Sequence, residues 1–369
     1  MTPHAATSCE PDEVPLLRLR SLADLIEAIP YLLGFHPTAS LVVVMLHGAD
    51  PRVGATLRYD LPDESAAGAA VAIAQHVAVH ASLHVAERAV LVVFGDQSQV
   101  ADGLPGWPLV NQVRIALTRS GASVVDAAYV CGRRWWSYLC PDPQCCPAGG
   151  RPLPARGATP SPIAAAAARA GLVALPDRAA LSRILDPVGG SAREAMERAL
   201  AEAEAAFIQA AAAAGGMPGW RAATRTSLQA VLGRPVDSAG GSGPAELTEA
   251  DIAEFLVALS DLSIRDYCWL TIEKGGGPDD TLALWSQLVR RAVPPYDAAP
   301  LFLLGWAAWR HGDGILARMA AERALLSESD YGAARLLLNA VRAGIDPREL
   351  PDLGSGRPAT RRAGGRRRR

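Results

Sequence analysis

"SLVVVMLHGADPRVGATLRYDL", residues 40–61, decides how the first half of the chain is read. Its opening apolar run is continuous and β-branched, the pattern of a strand buried on both faces. "HGADP" is turn chemistry. "RVGATLRYDL" is a second extended segment, stopped by "LPDE". Two strands joined by so short a turn predict a hairpin.

Reading outward from that hairpin, "SLADLIEAIPYLLG" (21–34) predicts a helix with Ser21 as N-cap and Asp24 in an imperfect capping box. Pro30 should end or kink it, with Gly34 as punctuation. Downstream come an Ala/Val-rich helix over 64–83, a strand at 88–95, and a helix "WPLVNQVRIALTRSG" closed by Gly121. The strands "SVVDAAYV" and "RWWSYL" follow, around "CGRR". The order α-β-β-α-β-α-β-β mixes hairpins with crossovers, so a mixed β-sheet with packed helices is expected over residues 19–150.

After Pro147 the composition changes. "PAGGRPLPARGATPSP" reads as a Pro/Gly linker, placed at 151–162. From 163 to 350 the segments are helical, among them "SAREAMERALAEAEAAFIQAAAAA" and a helix N-capped by Thr248. Arg265 and Asp266 of "IRDY" are expected to fix a helix start through local charged hydrogen bonds. "LLGWAAWRHGDGILARMAAERAL" (303–325) has the small-residue spacing of a single tetratricopeptide-type helical hairpin. Ala308 replaces the usual aromatic and Ser329 stands near the closing proline. A peptide-binding superhelix needs about three repeats, so one hairpin capping a bundle is the expectation. The fold class is therefore α+β: a sheet domain, then an all-helical domain ending in that hairpin. Residues 1–18 are expected to be flexible and 351–369 disordered.

Composition excludes several chemistries. Lys274 is the only lysine of 369 residues, and Gly275 follows it. A P-loop needs Gly-Lys-Ser/Thr, and a Schiff-base enzyme would depend on Lys274, which sits in the loop-like "IEKGGGPDD". The glycine runs do not follow a strand, so no dinucleotide fingerprint is supported, and no Gly-x-Ser-x-Gly elbow exists. The net charge is −2, but the tail "RPATRRAGGRRRR" holds seven arginines, so residues 1–356 carry −9 (−2 minus 7). The N-terminus has neither a basic start nor an apolar core, and no run approaches membrane length, which predicts a cytoplasmic protein with reduced thiols.

The candidate site residues are few. "WWSYLCPDPQCCPAGG" (135–150) places Cys140, Cys145 and Cys146 within seven positions. Adjacent cysteines rarely pair with each other. Cys131 should lie roughly 20 Å away along the hairpin. With no Cys-x-x-Cys pairs the metal signal is partial. A zinc site would need a fourth ligand, and "HVAVHASLH" offers His76, His80 and His84 within about an 80° arc of one helix. The alternatives are a structural turn, or a reactive thiol near Arg133, Arg134 and Arg151. His36 and Thr38 in "GFHPTAS" mark a second candidate loop, where a histidine more often fixes a loop than acts as a base. Adjacent Trp135 and Trp136 must face opposite sides of a strand, one inward and the other a candidate partner contact.

Several phrases together, "IPYLLGFHPTASLVVVMLHG", "RVGATLRYDLP", "RWWSYLCPDPQCCPAGGRPL", "IRDYCW" and "AAWRHGDGILARMAAERALLSESDYGAARLLLNAV", resemble the actinobacterial domain of unknown function family 4192 over about residues 20–350. The resemblance implies that "GFHPT", the Trp-Trp strand and "CCP" are family features, and that an acidic residue often stands where this chain has Ala39. It implies no activity. The leading expectation is a non-enzymatic cytoplasmic binding or scaffold protein with a protein partner. The alternatives are a metal- or thiol-dependent enzyme centred on the cysteine turn, and weak nucleic-acid contact through the arginine tail.

Overall fold

The computed structural model describes residues 19–63, 68–96, 103–154, 160–170, 172–232, 247–274 and 278–350. The expected flexible N-terminus (1–18) and arginine tail (351–369) lie outside them. The chain divides into two compact units, Met1–Leu181 and Ser182–Arg369. The first holds a mixed six-stranded sheet and the second is helical, an α+β architecture.

The first unit begins with α1 (Leu22–Leu33), capped by the Ser21 hydroxyl, which accepts from the Asp24 N–H at 3.2 Å. The helix does not end at Pro30 but runs one turn further, to Gly34 at φ 75°. Proline removes one backbone bond, and the buried Ile29, Pro30 and Leu33 offset that loss. The hairpin follows as predicted: β1 (Ser40–His47) pairs antiparallel with β2 (Arg52–Asp60), from Ser40↔Asp60 to His47↔Arg52. After α2 (Ala69–Leu83) comes β3 (Arg88–Gly95), antiparallel to β1. The crossover α3 (Trp107–Arg119) makes β4 (Ser123–Cys131) parallel to β3. A two-residue turn with Gly132 first, at φ 58°, returns the chain as β5 (Arg134–Ser137). A sixth strand, β6 (Arg151–Pro152), pairs with β5 inside the segment expected as linker. The order is β2-β1-β3-β4-β5-β6.

Both faces of the central strands are buried, which is why β1 and β3 read as unbroken apolar runs. On one face Leu41, Val43, Leu91, Val93 and Tyr129 pack against Val77 and Ala81 of α2 and Val110, Val113 and Leu117 of α3. Helix α4 (Pro162–Arg169) packs on α1, and α5 (Arg178–Arg183) runs across the division between the units. The expected linker therefore lies within the first unit, and the division falls after Leu181.

The second unit comprises α6 (Gly190–Ala212), α7 (Gly216–Leu232), α8 (Glu249–Ala258), α9 (Leu262–Lys274), α10 (Pro278–Arg291), α11 (Ala298–Arg310), α12 (Gly314–Ser327) and α13 (Gly332–Arg342) around one core. Thr248 and Asp251 form a full capping box on α8. The start of α9 is fixed by Asp261, which accepts from the N–H groups of Ser263 and Ile264 and from Arg221. It is not fixed by Arg265 and Asp266, which pair with each other one turn in. Lys274 closes α9 instead of sitting in a loop. The predicted hairpin is α11–α12, turned at Gly312 (φ 88°), with the Asp313 carboxylate accepting from the Leu316 N–H. Gly305 lets the helices touch: a Cβ there would stand 3.1 Å from the Ala317 carbonyl and 3.0 Å from Leu337 Cδ2. Trp306 and Trp309 are both buried, their rings 5.2 Å apart.

Candidate functional site

The loop after β5 is built by its own polar residues. Ser137 Oγ donates to Asp126 Oδ1 (2.9 Å) and accepts from the N–H groups of Leu139 and Cys140 (both 3.1 Å). Asp142 then turns the chain. Its carboxylate accepts from the Gln144 N–H (2.8 Å) and its carbonyl from the Cys146 N–H (2.7 Å), a side-chain-assisted turn that carries Cys145 and Cys146 back toward Cys140. The return leg is pinned to β5. The Trp136 indole donates to the Ala148 carbonyl (2.9 Å), and Arg134 donates to the carbonyls of Gly149 and Gly150 (2.9 Å each). Gly150, at φ 72°, lies flat on the Trp136 ring, where a Cβ would come within 2.5 Å of Cε2.

The outcome is a cluster of three sulfurs, Cys140, Cys145 and Cys146, all within 4.8 Å of one another. Cys145 is exposed and the other two are half-buried. All are free thiols. The Cys140 thiol is held below its ordinary value, first by the backbone N–H of Asp142, then by hydrogen bonds from the Cys146 and Cys145 thiols. Desolvation, with donation to the other two sulfurs, pushes Cys146 up to about 12. Arg151 closes the outer side, its Nη1 3.8 Å from Cys145 Sγ and its guanidinium 5.3 Å from the centre of the Trp135 ring. Cys131, at the hairpin end of β4, is not in the cluster. Buried Cys268 in α9 has its thiol pushed up to about 12 by desolvation and is a core residue.

The histidines do not join the cysteines. His76 is hydrogen-bonded to Tyr59 of β2, an edge strand, whereas the cysteine loop hangs from β5. Four strand spacings separate β2 from β5, roughly 19 Å. The expectation of one site holding Cys140, Cys145, Cys146, His76 and His80 is thereby corrected. Helical spacing aligned the histidines with one another, but strand order sent the two groups to opposite sides of the sheet. On α2, His76 Nδ1 lies 2.7 Å from Tyr59 Oη, and His76 Nε2 lies 3.2 Å from His80 Nε2. His84 stacks on His80 with ring centres 6.0 Å apart.

The tryptophan pair is corrected too. They face opposite sides as expected, with Trp136 beside Tyr129 in the core under α2 and α3. Neither is an open contact: Trp135 is 6% exposed beneath Arg151, and Trp136 is half-buried beneath Gly150. The loop and β6 fold back over them, which no local pattern announced.

The "GFHPT" loop is held by its backbone. His36 N–H donates to the Leu175 carbonyl (2.9 Å) and Leu175 N–H to the Gly34 carbonyl (2.8 Å), with Phe35 buried between. His36 is half-buried and Thr38 exposed. The buried Ser40 hydroxyl donates to the Thr38 carbonyl (2.6 Å) and accepts from Arg58 Nε (2.9 Å), and Arg58 pairs with Asp60. Ala39 adopts φ 42°, a left-handed conformation in which Asp and Asn are several-fold enriched among non-glycine residues. The sequence reading named Arg151 beside the cysteines but missed Ser137, Asp126, Gly150 and Tyr59. Gly150 had a signal, a second glycine after Gly149, but it read as linker.

No helix among the described residues is long and apolar enough to cross a membrane. No curated protein and no solved structure matches the chain. The family model described as "Domain of unknown function (DUF4192)" matches residues 23–348, and the chain belongs to that family.

Proposed function

We propose that this is a non-enzymatic binding protein whose cysteine turn holds a zinc-class cation through Cys140, Cys145 and Cys146. The convergence of three sulfurs within 4.8 Å carries this reading. Tetrahedral zinc with ∼2.3 Å Zn–S bonds places sulfurs about 3.8 Å apart. The loop therefore needs a contraction of at most about 1 Å, within reach of side-chain rotation. Binding would displace the thiol protons, since a cation is held by thiolates. Ser137, Asp126 and Trp136 support the loop from behind, as outer-shell groups do. A fourth position would fall to water or to a group from a partner, which gives the binding role a place to act. The five described cysteines are free and available as ligands.

The test is elemental analysis of the untagged full chain beside a Cys145→Ser/Cys146→Ser variant. Near-stoichiometric zinc in the first, lost in the second, is expected. Equal metal in both, or none in either under reducing purification with added zinc, overturns the reading. In the second case a reactive thiol takes its place, which the lowered Cys140 also favours. That outcome would show as alkylation of Cys140 faster than of buried Cys268. Deleting residues 357–369 separates any nucleic-acid contact: salt-sensitive binding lost with the tail belongs to the tail.

A further inference from the structure

We infer that His76 and His80 form a second, independent cation site: a two-imidazole chelate for a divalent first-row metal on the outer edge of the sheet unit.

Two ring nitrogens approach each other closely. His76 and His80 are one turn apart on α2, and their Nε2 atoms stand 3.2 Å from each other. Two imidazole lone pairs at that separation repel unless a proton or a cation lies between them. A cation with ∼2.0–2.1 Å bonds to both nitrogens would see them at an angle of about 100°, close to tetrahedral.

The rings are held in place before any ion arrives. His80 is 3% exposed, beside the buried Val77 and Ala81, and His84 stacks on its ring at 13°. His76 is set by Tyr59. With the metal on Nε2, His76 carries its proton on Nδ1 and donates it to Tyr59 Oη, 2.7 Å away. A ligating histidine is commonly oriented through its other nitrogen in this way. Burial raises the Tyr59 hydroxyl well above its ordinary value, so it stays a neutral phenol able to accept. His76 itself is exposed, which gives an ion access from solvent.

The donor set selects the ion class. Two neutral imidazoles with no carboxylate in the pair suit Cu²⁺, Ni²⁺ or Zn²⁺, and do not suit Mg²⁺ or Ca²⁺. With two protein ligands the remaining positions go to water. The site would be weaker than the cysteine turn, with open coordination.

The experiment uses the full untagged chain with Cys140, Cys145 and Cys146 all changed to serine, so the outcome does not depend on the cysteine reading. Copper(II) chloride and zinc chloride are titrated by calorimetry, with histidine ring resonances followed for zinc. One equivalent of each ion is expected, copper tighter than zinc, with shifts at His76 and His80. The exposed His76→Asn change should weaken binding at least tenfold with the circular dichroism unchanged. Tyr59→Phe should weaken it by about 10- to 100-fold, the usual effect of losing an outer-shell partner. Absence of saturable binding overturns the proposal and leaves a proton-bridged pair. Binding unchanged in His76→Asn places the ion elsewhere and also overturns it.

Discussion

Gly150→Ala should damage the cysteine loop, and Gly149→Ala should not. The two glycines are neighbours and look alike in sequence, so the contrast tests the structure directly. Gly150 has φ 72°, and an added Cβ would lie 2.5 to 2.9 Å from three atoms of the Trp136 indole. Gly149 has no such φ, and nothing lies within 4 Å of its Cβ position. For Gly150 the left-handed conformation costs about 1–2 kcal/mol with a side chain present. Overpacking against a half-buried ring costs about 1–3 kcal/mol. Trp136 has little room to retreat, because its N–H is bonded to Ala148 and its other face lies near Tyr129. The reduced entropy of the unfolded chain returns about 0.4–1 kcal/mol. A net cost of about 1–4.6 kcal/mol remains, which by local-opening linkage accelerates amide exchange roughly 5- to 2,000-fold. Hydrogen exchange of the full-length variants, read over residues 134–153, is the assay. Gly149→Ala should exchange like wild type. Equal behaviour of the two variants would refute the packing of Gly150 on Trp136, and with it the account of how the sulfurs are brought together.

Two helical glycines should respond with opposite sign: Gly219→Ala, exposed within α7 with open space around it, should stabilise by about 1 kcal/mol, whereas Gly305→Ala should destabilise by about 1 kcal/mol because overpacking exceeds the propensity gain; urea midpoints check both. Ala39→Gly should raise stability by about 0.5–1 kcal/mol, relief of the φ 42° strain less the added unfolded-state entropy, read as a higher Tm. The Asp261 carboxyl is lowered mainly by the Arg221 hydrogen bonds, so its contribution is present above the unfolded value of about 3.9 and disappears as pH falls through the lower folded value. Asp261→Asn should therefore cost about 1 kcal/mol at neutral pH, modest because Arg221 is 39% exposed, and nothing once both forms are uncharged. A stability difference that stays constant down to pH 2 would sink that assignment.

Much of the fold was legible because its signals are local. The strand at 88–95 has the bounds the sequence predicted, since a β-branched run between charged Arg88 and Gly95 has few other conformations. The Ser21 and Thr248 caps are set by chemistry three residues wide. Pro30 failed as a stop because tertiary burial outweighs one lost backbone bond. β6 was invisible because two residues carry no period, and pairing with β5 alone makes Arg151–Pro152 a strand.

The candidate sites divide along the same line. Sequence by itself determined which residues could carry chemistry here: three cysteines in one turn, three histidines on one helix face, and a body without lysine apart from Lys274. It also determined that Cys131 lies apart, since distance along a strand is a matter of counting. Tertiary structure decided everything that depends on strand order. It drew Cys140, Cys145 and Cys146 within 4.8 Å through Ser137, Asp142 and Trp136, and it covered both tryptophans with the returning loop, Trp135 fully and Trp136 in part. It set the histidines beside Tyr59, at the other edge from the cysteines. The physical reason is range. Caps, turns and helical faces are fixed by neighbours within about four residues, while the neighbours of a strand are set by the competition of whole faces for the core.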